Sequence, residues 1–152
     1  MNKLLLLVIV ILMLAGCGGG TVSQLTEEQK VNAVINEWEK LVIQKNAVGL
    51  ANLVYDPVLM LGFGGELEEY TKEDFIGYYT LGFMFVETFN QYEYRNRVIE
   101  IETPGLEIWV TATLYSDVSS VFGRDSQETV VLFLLEKFGN NWLVRAYYDE
   151  SM

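Results

Sequence analysis

The chain has 152 residues, with 21 acidic and 10 basic side chains and a formal charge of −11. Acidity on that scale repels nucleic acid and anionic lipid surfaces and argues against both as partners. There is no histidine and only one cysteine, so the commonest general base, metal ligand and pH switch is missing and no disulfide can form within the chain.

In chain order, Met1-Asn2-Lys3 gives a short positive start, and Leu4 to Leu14 is an unbroken aliphatic or Met run. Even with Ala15 and Gly16 the run falls short of the roughly 20 residues that span a bilayer. Its length suits the core of an export signal. Leu14-Ala15-Gly16-Cys17 then resembles the lipobox of bacterial lipoproteins at all four positions. The resemblance implies that a signal peptidase recognises Leu14, Ala15 and Gly16, that residues 1–16 are removed, and that Cys17 carries acyl chains. Each buried methylene contributes about 0.8 kcal/mol, so two or three chains hold a protein at a membrane. The competing reading is an uncleaved apolar anchor with an incidental cysteine, which the length of the run suits poorly. Gly18, rather than Asp, follows the cysteine. By resemblance to lipoprotein sorting in Gram-negative bacteria, this implies the outer membrane, facing the periplasm; with a single membrane, only the cell envelope is implied.

Residues 17–24, rich in Gly and small polar side chains, read as a flexible tether. Residues 25–152 are one domain by length. Thr26 to Gln29 reads as a capping box opening a helix whose apolar stripe is Val31, Val34, Ile35, Trp38, Leu41 and Val42, with Glu37, Glu39, Lys40 and Gln44 opposite. Val48 to Val54 reads as a shorter helix stopped by Tyr55-Asp56-Pro57. Val58 to Phe63 is a predicted strand, Gly62, Gly64 and Gly65 turn the chain, and Glu66 to Tyr70 returns antiparallel. That turn lacks the Lys and helix start of a phosphate loop, which favours a hairpin. Thr71 caps a helix with Glu73 and Asp74 in its first turn. From Phe75 to Phe85 this helix is apolar almost all round, so it should be largely buried or face a pocket.

From Gln91 the pattern is β. Gln91 to Glu102 and Leu106 to Val118 flank Thr103-Pro104-Gly105, a type II turn sequence. Ser119 to Asp125 reads as a loop, and Gln127 to Lys137 and Trp142 to Asp149 flank a second hairpin turn at Gly139-Asn140-Asn141. Helices first and antiparallel strands after predict an α+β fold, with about three helices packed on one face of a curved sheet.

This order resembles the nuclear transport factor 2-like superfamily, which also contains the SnoaL-like polyketide cyclases. The residues that carry the resemblance are the helix around Trp38, Val54-Tyr55-Asp56-Pro57-Val58, Thr71-Lys72-Glu73-Asp74-Phe75, and the closing stretch from Leu135 to Val144. It implies a cone, a bent antiparallel sheet wrapped on helices with a cavity open at one end. The superfamily hosts isomerases, dehydratases, cyclases and noncatalytic binding modules, so fold alone does not choose among them. Several catalytic members use a His–Asp pair that this chain cannot form. An Asp base with Tyr as oxyanion donor, as in ketosteroid isomerase-like members, remains open to it.

Asp56 with Tyr55 is one candidate pair; the competing reading is a turn aspartate before proline, which Asp-Pro favours. On the last strand, Arg145, Tyr147 and Asp149 alternate with Trp142, Val144, Ala146 and Tyr148. Facing the cavity, Arg145 and Tyr147 would hold a ligand and Asp149 would act as base; facing out, they are ordinary cross-strand pairs. Arg95 and Arg97, sharing a face, raise the same question. Trp109 and Tyr115 alternate with an aliphatic row and suit either a homodimer or partner surface or a solvent face with scattered aromatics. The acids show no metal-ligand pattern, and no cofactor is implied. The leading expectation is a noncatalytic lipoprotein whose cone binds a small apolar molecule or an envelope protein. The rival is an isomerase- or dehydratase-type enzyme using an Asp/Tyr pair, and a third reading is a subunit of an envelope complex.

Overall fold

A computed structural model describes residues 25–61, 66–103 and 105–149. The segment Leu14-Ala15-Gly16-Cys17, the tether, Gly62, Gly64, Gly65 and Pro104 lie outside the described residues. Helix α1 (Glu27–Ile43) begins as expected. Thr26 Oγ1 accepts from the Gln29 backbone N–H at 3.2 Å, and the Gln29 side chain returns the bond to Thr26 N at 2.9 Å. Val31, Ile35, Trp38, Leu41 and Val42 form its buried stripe. Helix α2 (Ala47–Ala51) is shorter than the sequence suggests, and Tyr55-Asp56-Pro57 does not lie beyond it as a stop but inside strand β1 (Val54–Leu61). Strand β2 (Leu67–Tyr70) pairs antiparallel with β1. Helix α3 (Lys72–Phe85), capped by Thr71, runs straight into β3 (Val86–Thr103). Strands β4 (Glu107–Ser120), β5 (Gly123–Phe138) and β6 (Asn141–Asp149) complete one six-stranded sheet.

The sheet order is β2-β1-β6-β5-β4-β3, antiparallel throughout except for the parallel β1–β6 pair. Between β3 and β4, Leu106 N donates to Thr103 O at 3.0 Å and Gly105 has φ 76°, the geometry that a type II turn requires of its third residue. The stretch from Ser119 to Asp125 is not a loop. Ser120 pairs with Gly123, leaving only Val121 and Phe122 at the tip. Apolar contact offsets the exposure of that tip, because Phe122 packs on Phe85 with ring centres 5.5 Å apart and Val121 N donates to Phe85 O.

Trp38 sits at the centre of the core. Its ring meets those of Phe75, Tyr79, Phe133 and Tyr147 at centre distances of 5.4–6.0 Å. Around it the inner row of β4 (Ile108, Val110, Ala112, Leu114) pairs with that of β5 (Leu135, Phe133, Val131). Fully burying such a side chain contributes about 1.5–3 kcal/mol.

Of the register shifts in the sheet, one in β3 and one in β6 decide where the candidate arginines and Asp149 point. In β3, Arg95 pairs with Thr113 but Val98 with Thr111, and Asn96 takes φ 51°. The extra residue turns Arg97 toward α1, where it donates to Asn32 and Asn36 and lies 3.6 Å from Glu39. Arg95 and Arg97 therefore do not share a face. Glu39 also leaves the solvent side expected for it, accepting from Tyr94 N at 3.0 Å. In β6 the register slips between the Leu134–Ala146 and Leu135–Val144 pairs, so Arg145 is the extra residue. Trp142, Val144, Tyr147 and Asp149 are consequently all buried, and Arg145 points out.

Helix α3 is not largely buried. Only Phe75 is fully enclosed, and Leu81, Met84 and Phe85 are exposed. Its other face carries Tyr78, Tyr79 and Phe83 against the open end of the sheet, and this is the pocket-facing alternative.

Candidate functional site

Helix α3 and the curved sheet line an open hollow of about 240 Å³. Helix α3 contributes Tyr78, Tyr79, Gly82 and Phe83, and β3 contributes Val86, Phe89 and Tyr92. Strand β4 adds Leu114, Ser116 and Val118, β5 adds Gln127, and β6 adds Tyr147 and Asp149, with Val42 of α1 behind. Lys45, just beyond α1, holds the rim by donating to the carbonyls of Val86 and Glu87.

Asp149 is 4% exposed and accepts from Thr129 Oγ1 at 3.3 Å. Phenols surround it. The hydroxyls of Tyr92 and Tyr94 lie 2.8 Å apart, and those of Tyr94 and Tyr147 3.4 Å apart, forming a hydrogen-bonded chain across the floor. Burial pushes the Tyr79, Tyr92, Tyr94 and Tyr147 phenols well above the ordinary tyrosine value, and Tyr78 follows in the same direction for the same reason. The Asp149 carboxylate adds to the rise at Tyr78, Tyr79, Tyr92 and Tyr147. All five phenols are neutral at physiological pH and keep a proton to donate. The arrangement can enclose an apolar body, accept hydrogen bonds at one buried carboxylate, and donate from phenols.

Of the described residues singled out in the sequence, Tyr147 and Asp149 lie in this hollow, and the others lie elsewhere. Asp56 is exposed at the start of α3, where its Oδ1 accepts from Lys72 N at 3.3 Å. It lines a second hollow, also about 240 Å³, with Val54, Tyr55, Lys72, Phe138 and Leu143. That hollow has no buried carboxylate or phenol. Tyr55 meets Phe138 edge-on at 6.0 Å and lies under the Arg145 guanidinium at 5.4 Å. Arg145 also donates to Pro57 O and stands 3.9 Å from Glu136. Arg95 lies over the Tyr115 ring at 4.5 Å and pairs with Glu93. Tyr115 donates to Glu128 at 2.9 Å, and Trp109, half-buried, pairs with Leu134 in the same outer row. The sequence reading set Tyr78, Tyr79 and Phe83 on a helix to be buried or to face a pocket without making them site candidates, and it missed Phe89 and Tyr92. A helix without a polar face was the signal for the α3 residues.

No family model and no curated protein matches the chain. Solved structures do. A nuclear transport factor 2-like protein from Cytophaga hutchinsonii superposes with a TM-score of 0.68 at 17% identity, covering 82% of this chain and 98% of that one. A candidate dehydratase of the same family from Streptomyces avermitilis gives 0.68 at 12% identity, covering 79% and 91%. The fold is nuclear transport factor 2-like. A candidate scytalone dehydratase from Novosphingobium aromaticivorans gives 0.71 at 10% identity, covering 81% and 82%. These superpositions establish the nuclear transport factor 2-like fold.

Proposed function

We propose that this chain is a lipid-anchored cell-envelope protein whose cone binds a small, largely apolar molecule without transforming it. The observation that carries the reading is the hollow between α3 and the sheet, walled by aromatic side chains with few polar groups, the usual makeup of a small-molecule site. An engineered apolar cavity of about 150 Å³ holds benzene, so this one has room for a ring bearing a short substituent. Acylation of Cys17 would supply the anchor, and among the described residues no helix is long and apolar enough to cross a membrane. The tether joins α1 at its first turn, where Glu27 contacts Lys137 and Trp142, whereas the rim of the hollow is held by Lys45 at the other end. Seventeen helical residues separate those ends by about 25 Å.

Titration with small neutral aromatic compounds, followed by tryptophan fluorescence, tests the cavity. Saturable binding supports it, and none up to about 10 mM, an affinity too weak to serve as recognition, sinks it. Cys17→Ala should move the protein from the detergent phase to the aqueous phase; unchanged partitioning would remove the anchor.

A second reading, proton-transfer catalysis of the isomerase or dehydratase type, is favoured by one feature. A buried carboxylate faces neutral phenols across a hollow, the pairing of base and oxyanion donor such reactions need. It predicts turnover that Asp149→Asn abolishes.

A further inference from the structure

We propose that the outer face of α3 and the tip between β4 and β5 dock on a lipid bilayer, with Leu81, Met84, Phe85, Val121 and Phe122 set among the headgroups. This rests on the reading of Cys17 as an acylated anchor and gives the domain a second contact with the same membrane.

The face has the wrong composition for water. A surface helix ordinarily turns charged and polar residues outward, but from Phe75 to Val86 the chain carries no charged residue. Gly77, Thr80, Leu81 and Met84 are exposed at helical spacing, so they form one stripe along α3. Phe85 continues it and meets Phe122 with ring centres 5.5 Å apart, while Val121 N donates to Phe85 O at 3.0 Å. The tip is uncharged too, from Val118 to Gly123. Phe122 is 83% exposed and Met84 71%. Single exposed apolar side chains are ordinary, but a group of them side by side marks an interaction surface.

Two arguments choose lipid as the occupant. The first is charge. A second copy of this chain would bring its own −11 to the contact, and like-charged surfaces repel. A stable protein interface also takes about 20–30 residues from each side, far more than this patch supplies. A bilayer of zwitterionic lipid has no net charge, and its interface takes up exposed Phe and Leu side chains. The second is reach. From Cys17 to Leu25 the chain advances eight residues, which fully extended span about 26–29 Å. Helix α1 starts two residues on, is about 25 Å long, and ends two residues before Lys45. The Lys45 side chain donates to the carbonyls of Val86 and Glu87, next to Phe85. With α1 lying along the membrane, the acyl chains and the patch can therefore enter one leaflet. Gly82, Phe83 and Val86 of the same stretch line the hollow. Docking thus brings the bilayer, where apolar molecules concentrate, to within about 10–12 Å of the ligand site, one helix width.

The test places tryptophan in the patch and bromine in the lipid. The full chain with its acyl chains, carrying Phe122→Trp or Met84→Trp, is reconstituted in phosphatidylcholine vesicles whose acyl chains carry bromine, a contact quencher. Flotation of the vesicles reads the anchor. Emission gained over the parent, which has Trp38, Trp109 and Trp142, reads the patch. Both positions are exposed, and each added tryptophan is expected to lose about half of its emission or more at a depth of about 5–10 Å. Val130→Trp, exposed on the outer face of the sheet, should keep its emission. Equal quenching there would make the contact unspecific and overturn the inference. Protein that floats with both patch tryptophans unquenched overturns the inference and leaves the anchor. Protein that does not float overturns the anchor and the inference with it. A blue-shifted, unquenched emission that grows with protein concentration would put a second copy on the patch and overturn the inference equally.

Discussion

Gly82 lies in the C-terminal half of α3 and on the wall of the hollow, and a Cβ built there meets no heavy atom within 4 Å. Its backbone is helical, so a side chain adds no strain. Replacing a helix-interior glycine by alanine recovers about 0.8–1.0 kcal/mol of propensity, and Gly82→Ala should raise the melting temperature by about 3–5 °C in a domain of this size. Gly82→Phe should retain a smaller gain, about 0.3–0.5 kcal/mol, because phenylalanine is a weaker helix former. Its ring, comparable to the benzene that fills an apolar cavity of about 150 Å³, would take more than half of the 240 Å³ available. Binding of small aromatic ligands should weaken by about tenfold or more. Gly77→Ala is the control. It lies on the same helix, its Cβ also meets nothing within 4 Å, and it does not line the hollow. It should stabilise like Gly82→Ala and leave affinity alone. Thermal melts monitored by circular dichroism, with calorimetric titrations of the same variants, read both effects. A folded Gly82→Phe protein binding within about twofold of the parent would refute the placement of the ligand in this hollow.

Acid should destabilise the domain through two carboxylates. Hydrogen bonds from Lys30 and then from the Trp142 indole hold Glu27 down to about 2 from 4.5, and Arg124 chiefly holds Asp117 down to about 2 from 3.8. Groups depressed on folding stabilise fully above their unfolded values and lose that contribution as pH falls toward the folded ones. The urea midpoint should therefore fall between about pH 5 and pH 2, and Glu27→Gln should flatten the upper part of that fall. A midpoint flat over this range would show that neither pair persists in solution. Phe133→Ala removes a fully buried ring that packs on Trp38, Tyr94 and Tyr147 at 4.9–5.7 Å. It should cost about 3–5 kcal/mol in urea unfolding, and a loss under about 1 kcal/mol, the cost of a mild truncation, would show that this layer is not closely packed. Arg97→Ala, by freeing Asn32 and Asn36 from β3 and removing the cation beside Glu39, should cost about 1–2 kcal/mol; no change would mean that the Arg97 clasp between α1 and the bulge contributes nothing.

Much of the fold was legible because local chemistry and tertiary packing agree. The capping box at Thr26, the cap at Thr71 and the stripe through Val31, Ile35 and Trp38 each specify a helix on their own and are kept by the core. The row Ile108, Val110, Ala112 and Leu114 is strictly alternate and is buried as such. Where expectation and structure part, tertiary contact outweighed a local signal. Asp56-Pro57 suggests a stop, but β1 continues through it because Val54 and Val58 are both fully buried. Ser119 to Asp125 has loop composition, but the β4–β5 ladder runs through it to the Ser120–Gly123 pair and Val121 N donates to Phe85 O.

The site was harder to see for a geometric reason. Counting by twos from Trp142 and Val144, both buried, sends Ala146 and Tyr148 inward and Asp149 outward, which is why sequence alternation sets Tyr147 and Asp149 beside Arg145. One extra residue at Arg145 inverts the count, bringing Tyr147 and Asp149 in and sending Arg145 to Tyr55 and Pro57 on the other face. The bulge at Asn96 does the same in β3, taking Arg97 out of the outer row and into contact with α1. A regular β6 would have placed the carboxylate and the arginine on the same face of the sheet. With the bulge, the carboxylate enters an aromatic hollow and the arginine stays outside it, so the charge of the site follows from a single unpaired residue in the ladder.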